Sequence, residues 1–169
     1  MRSSHALLFT ACLAACGGPK GPPAGISVPE ANAPVEFSYD SMDARPVSGV
    51  AFRGKVSVIA FITTGDMWAS QAQVNFLIAM AKNDGDKVNY ALVALQDGTS
   101  RELVEAYRDA LKVTFPVALG DTATTAGGGP FGDVHMVPSV VILNAEGRIA
   151  WRKAGLTKSD ELRAHMKGL

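Results

Sequence analysis

The chain runs to 169 residues, 47% of them hydrophobic, with 16 lysines and arginines against 16 aspartates and glutamates and so no net charge. That length and apolar content suit one domain of ordinary size with a proper core, and the charge balance argues against nucleic acid or an anionic membrane surface as a partner. The two cysteines, Cys12 and Cys16, both fall in the first 16 residues, and none follows them.

The N-terminus reads Met1-Arg2-Ser3-Ser4-His5 and continues as an apolar run from Ala6 to Cys16. This run is far shorter than the ~20 residues a membrane-spanning helix needs, so it predicts an export signal and not an anchor helix. Its end, Leu13-Ala14-Ala15-Cys16, resembles the lipobox of bacterial lipoproteins. The resemblance implies a signal peptide over residues 1–15, cleavage before Cys16 and lipidation of that cysteine. An ordinary secretory signal cleaved after a small residue is the alternative. A lipidated Cys16 would anchor the chain stably in a membrane, each buried CH₂ contributing about 0.8 kcal/mol. The location implied is the bacterial cell envelope, on the periplasmic side, and Gly17 after the cysteine resembles outer-membrane sorting more than retention at the inner membrane.

Residues 17–34 hold four glycines and five prolines with almost no large apolar side chain. Such a segment buries too little surface to offset the entropy of ordering it, so residues 16–34 are predicted to be a disordered tether and residues 35–169 the folded domain. Met42 to Val50 reads as an irregular approach to the first central strand. Val56 to Ile62 is a near-continuous apolar, β-branched run, the pattern of a strand covered on both faces, and Val88 to Leu95 repeats it. Between them Ala69, Ala72, Phe76, Leu77 and Met80 recur at helical spacing, which predicts a crossover helix joining two parallel strands.

Thr99-Ser100-Arg101-Glu102 has the spacing of a capping box and predicts a second helix with Leu103, Ala106, Tyr107, Ala110 and Leu111 on one face. Phe115 to Leu119 follows as a short strand, then a Gly-rich connection. Ser139 to Leu143, a turn at Asn144-Ala145-Glu146-Gly147, and Arg148 to Lys153 read as an antiparallel hairpin. A last helix follows Thr157, with Leu162, Met166 and Leu169 inward. The order is that of an α/β domain whose central mixed sheet combines a parallel βαβ unit with a C-terminal antiparallel hairpin, flanked by helices.

Lys55 to Ile62, the helix after it, Phe115-Pro116-Val117 and above all Val137-Pro138-Ser139-Val140-Val141-Ile142-Leu143-Asn144-Ala145-Glu146-Gly147-Arg148-Ile149 resemble the thioredoxin-like superfamily, most closely its membrane-anchored TlpA/redoxin group. The resemblance implies a cis-proline at Pro138 facing an active site. It also implies Trp-Cys-x-x-Cys at the start of the first long helix, where helix N–H groups and the macrodipole lower a thiol's pKa. This chain has Trp68-Ala69-Ser70-Gln71-Ala72 there. With Trp68 aligned on the family tryptophan, Ala69 and Ala72 replace the cysteines; an alignment without gaps puts Asp66 and Ala69 in those positions. Neither restores a thiol, and Ala60 stands where thioredoxins bury an acid beneath the motif.

Dithiol exchange needs an attacking and a resolving sulfur, and peroxide reduction needs one reactive thiolate. The domain has neither, so no catalytic residue and no cofactor is expected, and Asp66 is expected to cap the helix. The reading favoured is a non-catalytic module that binds an extended segment of another envelope protein in a groove formed by Trp68, Met136, Val137 and Pro138. One alternative is a redoxin-class enzyme working through a partner's thiols. Another is copper carriage of the SCO type through Met67, His135 and Met136.

Gly127-Gly128-Gly129-Pro130-Phe131-Gly132 lacks the Lys-Ser/Thr of a phosphate loop and is expected to be a flexible connection. Ser70, Asp133 and His135 would form a triad only by coincidence of geometry. His165 is expected to interact with the dipole of the last helix, and Trp151 to be a core or groove aromatic.

Overall fold

The computed structural model describes residues 33–95 and 101–169. The segment expected to be a signal peptide, Cys16 with its expected lipidation, the expected tether up to residue 32 and the Thr99-Ser100 part of the expected capping box lie outside them.

The elements in chain order are β1 (Ser38–Ser41), β2 (Val47–Ser48), α1 (Gly49–Phe52), β3 (Ser57–Ile62), α2 (Ala69–Asp84), a 3₁₀ turn (Gly85–Lys87), β4 (Asn89–Ala94), α3 (Arg101–Leu111), β5 (Val117–Leu119), α4 (Thr122–Thr125), β6 (Ser139–Leu143), β7 (Ile149–Ala154) and α5 (Ser159–Met166). They build a seven-stranded mixed sheet in the order β2-β1-β5-β4-β3-β6-β7. Strands β3, β4 and β5 are parallel, with Ser57 opposite Asn89 and Leu92 opposite Val117. Strand β6 runs antiparallel to β3, Phe61 facing Ser139, and β7 folds back on β6 with a register shift between Ile142 and Leu143.

Every residue of β3 and of β6 is buried, which explains why both read as unbroken apolar runs. Two cores result, one on each face of the sheet. Val58, Ala60, Ile62, Leu92, Val140 and Ile142 pack under α2, α3 and α5 with Leu77, Met80, Val104 and Leu162. On the other face Ile59, Phe61, Val93 and Val141 meet Phe37, Tyr39, Phe52, Phe131 and Val134. Ring centroids of Phe131 lie 4.9 Å from Phe37 and 5.4 Å from Phe61.

Five expectations are corrected by packing. The approach over Met42–Val50 contains β2 and the start of α1, and β1 precedes it, adding two strands to the sheet's edge. The inward face of α2 is Ser70, Gln73, Val74, Leu77 and Met80, whereas Ala69, Ala72 and Phe76 are only half-buried. Gln73 takes the inward place because its amide is satisfied there: Nε2 donates to the Thr157 carbonyl at 3.1 Å and Oε1 accepts from the Thr157 N–H at 2.8 Å. In α3 it is Val104 that is buried, with Tyr107 and Leu111 partly so, while Leu103, Ala106 and Ala110 face solvent.

The Gly-rich stretch is a packed turn and not a loose connection. Its Phe131 fills the second core, and a Cβ on Gly129 would sit 2.8 Å from Thr124 Cα. In the last helix Leu162 and Met166 turn inward as expected, but Leu169 lies beyond the helix end and is exposed.

Candidate functional site

Three connections meet at one end of the sheet, because β3 ends where its antiparallel neighbour β6 begins. The turn from Thr63 to Trp68 leads out of β3 into α2. The segment before β6 ends in a cis peptide bond between Val137 and Pro138. The chain leaving β7 then closes over this edge, the Gly155 N–H donating to the Pro138 carbonyl at 2.7 Å.

Asp66 organises the first of these connections. Its carboxylate accepts from the backbone N–H groups of Trp68 at 3.1 Å, Ala69 at 3.1 Å and Ser70 at 2.8 Å, donors that a helix start otherwise leaves unpaired. The Ser70 N–H, with those of Trp68 and Ala69, holds the Asp66 carboxyl below the usual carboxylate range. Ala69 is the first residue of α2 and Ala72 lies one turn along it, both half-buried, while Asp66 occupies the turn ahead. Tyr107 approaches from α3. Burial and the Asp66 charge raise its hydroxyl to about 12, and among the described residues that buried oxygen has no hydrogen-bond partner.

The cis-proline segment is held by Ser139, whose hydroxyl donates to the Met136 carbonyl at 2.5 Å. Among the described residues neither backbone polar group of Val137 is hydrogen-bonded. Pro138 itself is buried. Apolar side chains around it are not: Met67 is 65% exposed, Trp68 87% and Met136 63%. Leu156, just after Gly155, is exposed as well, so four of the eight exposed large hydrophobic residues among those described stand at this one end.

The other candidates separate. His135 turns its Nδ1 to the Asp133 carboxylate, but Ser70 is fully buried and its hydroxyl accepts from the Thr63 N–H at 3.4 Å, so no triad assembles. Among the described residues no three His, Cys, Asp or Glu side chains gather as a metal site. Ala60 is buried at the centre of β3, between Leu92 and Val140. His165 stacks on Trp151, ring centroids 4.4 Å apart and planes 23° from parallel, in addition to its place in the last turn of α5.

Sequence reasoning passed over two features of this end. Leu156 offered no periodic signal outside an element. The open backbone of Val137 follows from loop geometry alone.

No family model matches the sequence, and no curated protein matches it. Solved structures do. A DsbF homologue from Corynebacterium diphtheriae superposes with a TM-score of 0.68 at 20% identity, covering 88% of this chain and 97% of that one. This chain has the thioredoxin-like fold.

Further thioredoxin-like structures agree. StoA from Bacillus subtilis matches with a TM-score of 0.61 at 19% identity, over 80% of this chain and 98% of its own. The pneumococcal exposed lipoprotein thioredoxin Etrx1 from Streptococcus pneumoniae matches with a TM-score of 0.65 at 16% identity, over 79% of this chain and 99% of its own. At such identities the likeness is one of fold. Within that fold, the helix start and the cis-proline segment of this chain lie at one end of the sheet with no thiol between them, since the sequence has no cysteine after Cys16.

Proposed function

We propose that this chain is a lipid-tethered, redox-inactive thioredoxin-like module of the bacterial cell envelope that binds an extended segment of another envelope protein along Trp68, Met136, Val137 and Pro138. The observation that carries the reading is the Val137 backbone, open on both its N–H and its C=O, beside exposed Met67, Trp68 and Met136. An open backbone supplies pairing and neighbouring apolar side chains supply selectivity, the two parts of strand-addition recognition. Thiol chemistry lacks its reagent, because Ala69, Ala72 and Asp66 stand at the candidate cysteine positions and Cys16 would be spent on lipid.

The envelope location rests on the Leu13-Ala14-Ala15-Cys16 sequence. It is in keeping with neighbours described as an exposed lipoprotein thioredoxin and as a secreted disulfide oxidoreductase homologous to DsbE.

The test is a crosslinking pulldown from envelope extract with the wild type and Trp68→Ala. The variant folds normally, since its side chain is 87% exposed, and loses the captured partners. An unchanged set of partners would end the groove reading. Insulin reduction or peroxide consumption by envelope extract with the purified domain added, above the extract alone, would favour the enzymatic alternative that works through another protein's thiols.

A further inference from the structure

The zero net charge of the chain conceals a polarity along the strand axis. At the Pro138 end stand Asp66, Glu102, Asp121, Asp133, Asp160 and Glu161, with two lysines beside them, Lys158 and Lys153, the second already tied to Glu161 at 2.7 Å. The guanidinium at this end, Arg101, is already tied to Asp40 at 2.7 Å and Glu105 at 3.2 Å. Arg152, further down β7, donates to the Phe131 carbonyl. His135 faces Asp133. The unpaired cations collect at the other end instead, where Lys55, Lys87 and Lys112 flank the starts of the parallel strands, beside Arg53 and Arg148, which are tied to Glu36 and Glu146.

We infer that the groove selects a segment in which an arginine or lysine stands next to a large apolar side chain. The inference rests on the groove reading above and specifies its ligand. Asp66 stays ionised across the physiological range because three backbone N–H groups hold it so. Two residues later, Trp68 presents its indole to solvent, and an aromatic face is a seat for a guanidinium or ammonium. A cation over Trp68 therefore meets a π face and a fixed carboxylate together, while Met67, Met136 and Leu156 receive the adjoining apolar side chain. An acidic segment would meet more carboxylates than unpaired cations, a repulsion that disfavours it.

The experiment is calorimetric titration of the mature chain with three extended synthetic peptides. One carries Arg beside Leu, the second Glu in place of Arg, the third Ser in place of Leu. The Arg-Leu peptide should bind about tenfold tighter than the Glu peptide, from an exposed charge pair and a cation–π contact together. That gap should narrow in added salt and in the double variant Asp66→Asn with Asp133→Asn, which keeps a side chain able to cap α2. Equal binding of the Arg and Glu peptides, lost in Trp68→Ala, overturns the charge selection and leaves the groove standing. Binding of none of the peptides, or binding indifferent to Trp68→Ala, overturns the groove as well.

Discussion

Gln73 and Thr157 are joined by a pair of hydrogen bonds in which a buried side-chain amide pairs with a backbone N–H and C=O as a neighbouring strand would, at 2.8 and 3.1 Å. The pair locks the start of α2 to the connection between β7 and α5, and so fixes the helix against the Pro138 edge. Removing the amide leaves two backbone groups of Thr157 buried and unpaired, each costing about 1–3 kcal/mol. Gln73→Ala and Gln73→Leu should each destabilise the domain by about 3 kcal/mol in urea unfolding. Loss of less than about 1 kcal/mol would mean that water replaces the amide.

The Asp66 cap makes a pH-dependent contribution. Its carboxyl titrates lower in the folded chain than the unfolded value of about 3.9, so its stabilisation is fully present above that value and is lost as pH falls through the folded pKa. Asp66→Ala should cost about 1 kcal/mol at neutral pH, and Asp66→Asn less. The difference between wild type and Asp66→Ala should shrink on acidification, whereas that between Asp66→Asn and Asp66→Ala should hold constant. Unfolding curves taken at several acid pH values read both.

The same N–H groups would act on any anion placed there. Asp66→Cys should carry a thiol that ionises below the ordinary value of about 8.5, read from thiolate ultraviolet absorbance against pH. A thiol titrating at or above that value would show that the three hydrogen bonds belong to the carboxylate's own geometry.

Tyrosine titration offers a check at the alkaline end. Burial pushes Tyr39 and Tyr107 up to about 12, and burial with the Asp84 carboxylate raises Tyr90 as well. In the unfolded chain all three ionise near 10. Their neutral forms therefore favour the folded state, and that contribution is lost as pH rises from about 10 towards 12. Native protein should show little tyrosinate absorbance at about pH 10, and its appearance should coincide with loss of structure. Early tyrosinate without unfolding would place a ring in solvent.

How far the site was legible depended on how local each signal is. Val56 to Ile62 and Ser139 to Leu143 announce buried strands because both faces are covered, so every position is apolar. The turn at Asn144 to Gly147 is equally local: Asn144 Oδ1 accepts from the Arg148 N–H at 2.9 Å, and Gly147 has a φ of 82°. By contrast β1 is four residues long with Tyr39 its one buried side chain, too short a pattern to separate from a loop. The inward face of α2 was misread because Gln73 looks like a surface residue until its partner, 84 positions away, is known.

By itself the sequence determined what the domain lacks and how its central strands alternate with helices. Cysteine content is additive along the chain, and the apolar runs of β3 and β6 report burial at each position without reference to a partner. The Asp66 cap is equally local, its three N–H donors lying within four residues of it. Only the tertiary structure decided what surrounds the place of the missing cysteines: Val137 with its backbone open, and Met67, Trp68, Met136 and Leu156 exposed together, depend on β6 running antiparallel to β3. That pairing brings together loops some 70 positions apart, and no local pattern encodes it.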